Sequence, residues 1–425
     1  MQTRGSLVMK ITLLTYGSRG DVQPFLALAR GLQEAGHEVK LAAPQRFEAF
    51  IRSFGVPCVP LAGDPEVISR GLNNAGTNPV AMVRSISNYV FKISPQVSRA
   101  AFTACEGADL LVHSFLFTVG AHSWAFERGI PDVSVQTFPM FAPTRAFPNV
   151  AFPAIPPGWM SYFSHWFASQ VFWHGGNLGY GPARRANPDI PFPSRLYWPF
   201  KEAVRRPRTP LLFAYSPGVL PRPREWGASV HVTGYFYLGL QDTFQPPDAL
   251  TAFLAEGGPP VCVTFGSMIH RDVERIYRSV LEAVGALGER AILLGGWSDL
   301  PALGAVKNIL VMDAAPHEWL LPRCRAVIHH GGAGTTAAGL RAGIPNVVVP
   351  FAADQPFWGA RVHALGAGPA PIPVRKLSVE RLVAALSESS SGRLRSGAEA
   401  IGRVIREEAG VDAAVRLIQA RAAAA

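Results

Sequence analysis

Apolar and polar positions along the chain follow two rhythms. Lys10-Ile11-Thr12-Leu13-Leu14-Thr15-Tyr16 is a short, mostly apolar run with the texture of a buried strand. After the loop Gly17-Ser18-Arg19-Gly20-Asp21, the spacing becomes helical from Pro24 to Ala35, with Phe25, Leu28 and Leu32 on one side. Pro24 suits a first helical turn and Gly36 a stop. Val39 to Ala42 returns as a strand, and Leu110-Leu111-Val112 and Val133-Ser134-Val135 repeat that texture. Strands alternating with helices predict a parallel, doubly wound α/β sheet.

The pattern changes between Phe138 and Pro199. Proline and aromatic residues crowd the segment, and only a helix near Ser161 to Trp173 stands out. A second α/β unit begins near Pro259, with a strand Val261 to Phe265, a helix Val273 to Leu287 and a strand Ala291 to Leu294. The boundary is expected between Leu238 and Gly258, where Gln245-Pro246-Pro247 and Gly257-Gly258-Pro259-Pro260 interrupt regular structure. The tail from Leu394 to Ala425 reads as helical.

At 425 residues, 48% hydrophobic and 16% charged, the chain can build two or three sizeable cores and is not of disordered type. No apolar run reaches the roughly 18 residues of a membrane span. The segment Leu7 to Tyr16 carries Lys10 and no cleavage pattern, so it reads as a first strand and not as a signal peptide. Cys58, Cys105, Cys262 and Cys324 lack close spacing and are expected as reduced core thiols of a cytoplasmic protein. No cysteine stands at zinc-ligand spacing from His329 and His330, so no metal site is expected. The net charge of +10 favours anionic partners, with arginines clustered at Arg184-Arg185, Arg205-Arg206-Arg208 and Arg222-Arg224, although a solvated basic surface is the plainer reading. No nucleic-acid recognition module is evident, which leaves peripheral contact with an anionic membrane surface as the better expectation.

The densest chemistry lies at His329-His330-Gly331-Gly332-Ala333-Gly334-Thr335-Thr336. An apolar run precedes it and a helical pattern follows. Strand, glycine loop and helix start form a phosphate cradle, because glycines admit close approach and the helix N-terminus presents free N–H groups. Asp354-Gln355 follows one strand later, on the sheet edge where a group attached to that phosphate would sit. A phosphate holder with an acid–amide pair points to a nucleotide joined to a sugar. An ordinary strand-to-helix turn is the plainer alternative. A nicotinamide-type Rossmann site fits less well, because Gly17-x-x-Gly20 lacks the required glycine spacing.

The run His-His-Gly-Gly-Ala-Gly-Thr-Thr, then Leu-Arg-Ala-Gly-Ile-Pro, then Asp-Gln-Pro-Phe, resembles the donor motif of GT-B glycosyltransferases of family 1. It is most similar to their sterol 3β-glucosyltransferase branch, and also to glycopeptide and natural-product relatives. The resemblance covers most of the chain and is strongest over residues 10–60 and 259–370. It implies two Rossmann-like domains facing across a cleft: an acceptor domain over 1–240 and a donor domain over 259–405. A final helix over 406–425 is implied to pack back on the first domain.

Gly-Ser-Arg-Gly-Asp-x-x-Pro from Gly17 to Pro24 is similar to the first loop of the same enzymes. Plant relatives often carry a catalytic histidine there. This loop has none, and Asp21 is its sole carboxylate, so Asp21 is expected as general base. By pattern alone Asp21 equally suits the first turn of a helix. The implied donor contacts are Gly17, Ser18, Ser267, His329, Gly332, Ala333, Gly334 and Thr335 at the diphosphate, with Asp354 and Gln355 at the sugar. Ala314-Ala315-Pro316-His317 stands where plant relatives have Trp-x-Pro-Gln, so Ala315, His317 and a substitute ring at Trp297 are assigned to the base. Thr144 to Pro148 and Val171-Phe172-Trp173 are similar to the acceptor side of sterol enzymes. Phe141, Phe147, Trp166 and Trp173 are therefore expected to line an apolar acceptor site, although such rings can equally be core.

The implied reaction is inverting transfer of glucose from UDP-glucose to a sterol-like alcohol, with no cofactor and no metal beyond the donor. Two alternatives stay open: transfer of a dTDP- or UDP-sugar to a secondary-metabolite aglycone, and a non-catalytic nucleotide-sugar or lipid-binding protein.

Overall fold

In the computed structural model, the described residues are 8–67, 79–152, 155–192, 209–239, 244–266, 272–295 and 308–423. Ser267, Trp297 and the cluster Arg205-Arg206-Arg208 lie outside them.

The first sheet holds seven parallel strands in the order β3-β2-β1-β4-β5-β6-β7. They are β1 Lys10–Leu14, β2 Glu38–Pro44, β3 Cys58–Leu61, β4 Leu110–His113, β5 Asp132–Gln136, β6 Leu211–Phe213 and β7 Val230–Val232. The second holds five parallel strands in the order β10-β9-β8-β11-β12. These are β8 Val261–Thr264, β9 Ala291–Leu294, β10 Ile309–Met312, β11 Ala326–His329 and β12 Asn346–Val348. Both sheets reverse strand order once, at β1/β4 and at β8/β11. Loops leaving the carboxyl ends of strands on either side of such a reversal diverge and open a crevice.

The helices that matter below are α1 Arg19–Glu34, α2 Pro79–Ala104, α3 Trp159–Ala186, α4 Val273–Ala286, α5 Ala333–Ala342, α6 Gln355–Ala364, α7 Gly392–Glu407 and α8 Gly410–Ala423. β1 is buried on both faces from Ile11 to Leu14, as a strand sandwiched between helix layers must be. In α1, Phe25, Leu28 and Leu32 face the core as their spacing predicts. The helix nevertheless begins at Arg19, ahead of the expected start, and Pro24 sits in its second turn. The cause is a capping box: Ser18 and Asp21 satisfy one another's backbone and so start the helix before the proline. Helix α3 runs past the expected end at Trp173 to Ala186 and packs along α2. The expected helical tail is divided into α7 and α8, because Glu408 is extended at ψ 135°.

Helix α8 packs against α1. Ala414, Val415 and Ile418 join the core formed by Val22, Leu26 and the first sheet. At the crossing, a side chain on Gly410 would collide with the Tyr235 carbonyl, so only glycine admits this approach. Ser216 Oγ donates to Glu408 Oε1 at 2.5 Å just before α8 and anchors the return. All four cysteines are buried and unbridged.

Ile418 is fully buried and Arg416 exposed on the same helix. Ile418→Ala is expected to lower unfolding free energy by about 2–5 kcal/mol. Arg416→Ala should stay within about 0.5 kcal/mol of the parent. Urea unfolding of the two variants side by side checks this. Equal effects would mean that α8 is not held by its apolar face.

Candidate functional site

The two sheets present their carboxyl-end loops to one cavity of about 470 Å³. Ser18, Gly20 and Asp21 reach it from the N-terminus of α1, just after β1, and Phe138 from the segment after β5. Gly266, His330 and Gly332 to Thr335 reach it from the loops after β8 and β11, and Asp354 and Gln355 from the start of α6. Ala315 and His317 close one side, and Tyr237 of the interdomain connection another.

Helix α5 starts at Ala333 with Gly332 as its N-cap, and no side chain caps it. A helix start without a side-chain cap leaves first-turn N–H groups unmatched and carries positive partial charge. These groups line the cavity, so its electrostatics favour an anion at this end.

The two histidines ahead of α5 divide their roles. His329 is fully buried. Its Nδ1 accepts from the Gly331 N–H at 3.1 Å, which puts the proton on Nε2, where it is donated to Asn346 Oδ1 at 3.0 Å. Asn346 Nδ2 in turn donates to the Ile344 carbonyl at 2.8 Å. Burial drives the His329 pKa down to about 3, with His330 adding to the shift. With both nitrogens occupied, His329 braces the loop, and the phosphate contact expected of it is not available. His330 lines the cavity instead, and its buried Nδ1 has no partner among the described residues. Burial also lowers its pKa, to about 4.

Two carboxyl groups enter the same cavity. Asp21 Oδ2 accepts from the Ser18 N–H at 2.7 Å and from Ser18 Oγ at 3.1 Å. Enclosure raises its pKa to about 6, against the opposing Ser18 bonds. Both bonds fall on Oδ2, and Oδ1 makes no hydrogen bond among the described residues. Gly17, at φ 140°, cannot carry a side chain without striking this carboxylate, though Gly17 itself is not part of the cavity wall. Asp354 stands at the N-cap position of α6 but does not cap it. Its Oδ2 accepts from Trp358 Nε1 at 2.9 Å. Enclosure lifts its pKa to about 6 as well, and the charge of Asp21 contributes. Gln355 Oε1 is committed to the Phe351 and Ala352 N–H groups at 2.8 and 3.2 Å.

The four aromatic residues expected to line an acceptor site do not reach the cavity. Phe141 and Trp173 are buried. Phe147 packs on Phe357 at 5.9 Å and on Trp226 at 6.1 Å. Trp166 is half exposed on the outer side of α3. Continuation of α3 as one long helix turns Trp166 and Trp173 to different sides of its circumference, while Phe141 and Phe147 lie in the irregular segment ahead of it. The ring that does line the cavity is Phe138, with Tyr235, Phe236 and Tyr237. This Tyr-Phe-Tyr run was visible in the sequence as an aromatic cluster after Gly234. Tyr237 Oη donates to the Ala337 carbonyl of α5 at 3.2 Å, tying the connection to the second sheet. Arg19, in the first turn of α1, also lines the cavity.

Two facing Rossmann-like domains with the site between them define the GT-B architecture. Residues 11–115 match the Glycosyltransferase family 28 N-terminal domain. Residues 278–417 match the C-terminal domain of Erythromycin biosynthesis protein CIII-like proteins. A sterol 3-beta-glucosyltransferase of Arabidopsis thaliana is 34% identical over 423 residues, covering 96% of this chain and 67% of that protein. One of Neurospora crassa is 36% identical over 433 residues, covering 96% of this chain but 27% of its own length. The chain thus spans about two thirds of the plant relative and about a quarter of the fungal one. The crystal structure of the glycotransferase of kitacinnamycin superposes with a TM-score of 0.71 at 20% identity, covering 97% of this chain and 99% of that one. The chain belongs to the sterol 3-beta-glucosyltransferase family of glycosyltransferases.

The division between the histidines is testable without any ligand. His329→Ala orphans the Gly331 N–H and Asn346 Oδ1, each at about 1–3 kcal/mol. His330→Ala removes a ring whose Nδ1 has no partner among the described residues and should cost less than about 1 kcal/mol. Comparable destabilisation of both in urea unfolding would contradict the assignment.

Proposed function

We propose that this protein transfers glucose from UDP-glucose to the hydroxyl of a sterol-like apolar alcohol, with inversion at the anomeric carbon. The observation that carries the reading is the pairing, in one cavity, of the Asp21 carboxyl with the open N-terminus of α5. The first suits removal of a proton, and the second suits a leaving diphosphate. The names of the relatives support the sugar and the acceptor class.

In this mechanism the acceptor hydroxyl lies against Asp21. As its oxygen bonds to the anomeric carbon, its proton passes to the Asp21 carboxylate and the bond from that carbon to the diphosphate oxygen breaks. Charge developing on the diphosphate is met by the N–H groups of Gly332 to Thr335 and by His330, all fixed before the reaction begins. Ser18 holds Asp21 in position. Asp354 accepts from sugar hydroxyls, and Gln355 shapes the loop beside it. Ala315 and His317 flank the base. Phe138 and Pro24, which line the same cavity as Asp21, take the apolar acceptor in place of the rings outside it. Four buried, unbridged cysteines suit a reducing compartment, so the reading places the protein in the cytoplasm.

Asp21→Asn should leave UDP affinity near the parent value and lower turnover about 10²-fold or more. His330→Ala should weaken UDP itself, as seen by calorimetry. Incubation of UDP-glucose with a panel of sterols and aglycones, read by mass spectrometry, tests the acceptor class. Product formed only from dTDP-sugars, or only on non-sterol aglycones, would overturn the reading.

The pH profile follows from the Asp21 shift. Its carboxyl is raised to about 6, so the ionised base is lost as pH falls through that value. kcat/KM should therefore drop on the acid side with an apparent pKa near 6. An acid limb that persists unchanged in the residual activity of Asp21→Asn would assign it to Asp354 instead.

A further inference from the structure

Helix α3 is amphipathic in the inverted sense. Ser161, Ser164, His165 and Ser169 face the protein and are buried. Ser161 Oγ donates to the Pro156 carbonyl at 3.0 Å, and Ser164 Oγ accepts from the Asn149 N–H at 2.9 Å. His165 Nε2 lies 3.1 Å from the Phe147 carbonyl. These polar residues hold the irregular segment ahead of the helix. The apolar side is turned outward: Trp159 is 72% exposed, Phe163 and Trp166 49%, and Phe167 45%. Tyr162, Val171 and Leu178 extend the same stripe at helical spacing. A contiguous exposed aromatic face of this kind marks a surface that is covered in function.

Charge on the surrounding elements identifies the cover. No Asp or Glu occurs between Asp132 and Asp189, and none occurs within α2, which packs along α3. Both helices carry cations. Arg185 is exposed at the end of α3, and Lys92 is exposed on α2 beside half-exposed Phe91. The first acidic residue beyond α3, Asp189, is paired with Arg99 of α2. Tryptophan and phenylalanine on a helix that carries basic and no acidic residues suit the headgroup–acyl boundary of an anionic bilayer. Among the described residues no helix is long and apolar enough to cross a membrane, so α3 would lie on the surface. The inner side of the same helix is connected to the site through packed rings. Phe172 of α3 lies 5.5 Å from Phe115, and Phe115 lies 4.9 Å from Phe138 on the cavity wall.

We propose that the outer face of α3 docks this protein on an anionic lipid bilayer, laying the cavity close to membrane-held acceptor. The acceptor clause rests on the function proposed above; the docking itself does not. The test is co-sedimentation with phosphatidylcholine vesicles, with and without phosphatidylglycerol and free of any sterol, so that a wrong acceptor cannot mask the result. The parent protein should pellet with the anionic vesicles and far less with the neutral ones. A combined Trp159→Ser, Phe163→Ser and Phe167→Ser variant should lose roughly tenfold or more of that binding. Because the three side chains are exposed, its urea unfolding midpoint should match the parent. A parent that stays in the supernatant, or a variant that pellets as well as the parent, overturns the proposal. So does a parent dimer in sedimentation velocity that the triple variant dissociates, which would assign the face to a second copy of the chain.

Discussion

The buried contact between His329 and Asn346 is the constraint on which the site's geometry turns. A helix N-terminus can bind an anion only if its first N–H groups are left open and aimed at a fixed point. Here the aiming is done from behind. The His329 imidazole takes the Gly331 N–H on one nitrogen and gives its proton to Asn346 with the other, tying the end of β11 to the start of β12. The turn between strand and helix is thereby held from the core side, and nothing has to be held from the cavity side. In a dry interior such a bond is costly to break, because neither partner can turn to water. His330 and the N–H groups of α5 are left to face the cleft.

The opposite wall follows the same logic with different chemistry. Ser18 and Asp21 cap α1, and the same bonds orient the carboxylate in the cavity. Capping favours the ionised form, while enclosure in the cleft opposes it, and enclosure wins. A carboxyl left near pH 6 is a better proton acceptor at neutral pH than an ordinary aspartate, and it is still ionised there. Asp354 faces the same balance, with Trp358 in place of Ser18. Helix start and proposed base are thus one structural element, and the two readings of Asp21 are compatible.

The aromatic tract shows how local composition can be divided by a helix. A run of rings in sequence suggests one apolar surface. Wound at 3.6 residues per turn, it becomes several surfaces. On α3, Trp173 is core while Trp159, Phe163 and Trp166 look outward; ahead of the helix, Phe141 is core and Phe147 bridges toward Phe357. The cleft receives its rings from elsewhere in the chain, through Phe138 and the Tyr235 to Tyr237 connection.

Much of this was legible in the chain itself. The apolar runs at β1 and β8, the spacing of Phe25, Leu28 and Leu32, and the helix from Val273 carry their structure locally, because both-face burial and a 3.6-residue period leave marks in a single sequence. So does the glycine-rich start of α5. Strands β6 and β7, three residues each, left no such mark, since their pairing partners lie far away in the chain. The extent of α3 was decided by α2 packed along it, which no local signal reports. The two histidines make the distinction sharpest. They are adjacent and identical, and a sequence that presents both cannot say which is committed. Successive side chains leaving a strand point to opposite sides. Only the placement of Asn346 behind β11 and of the cavity in front of it made His329 the brace and left His330 facing the cleft.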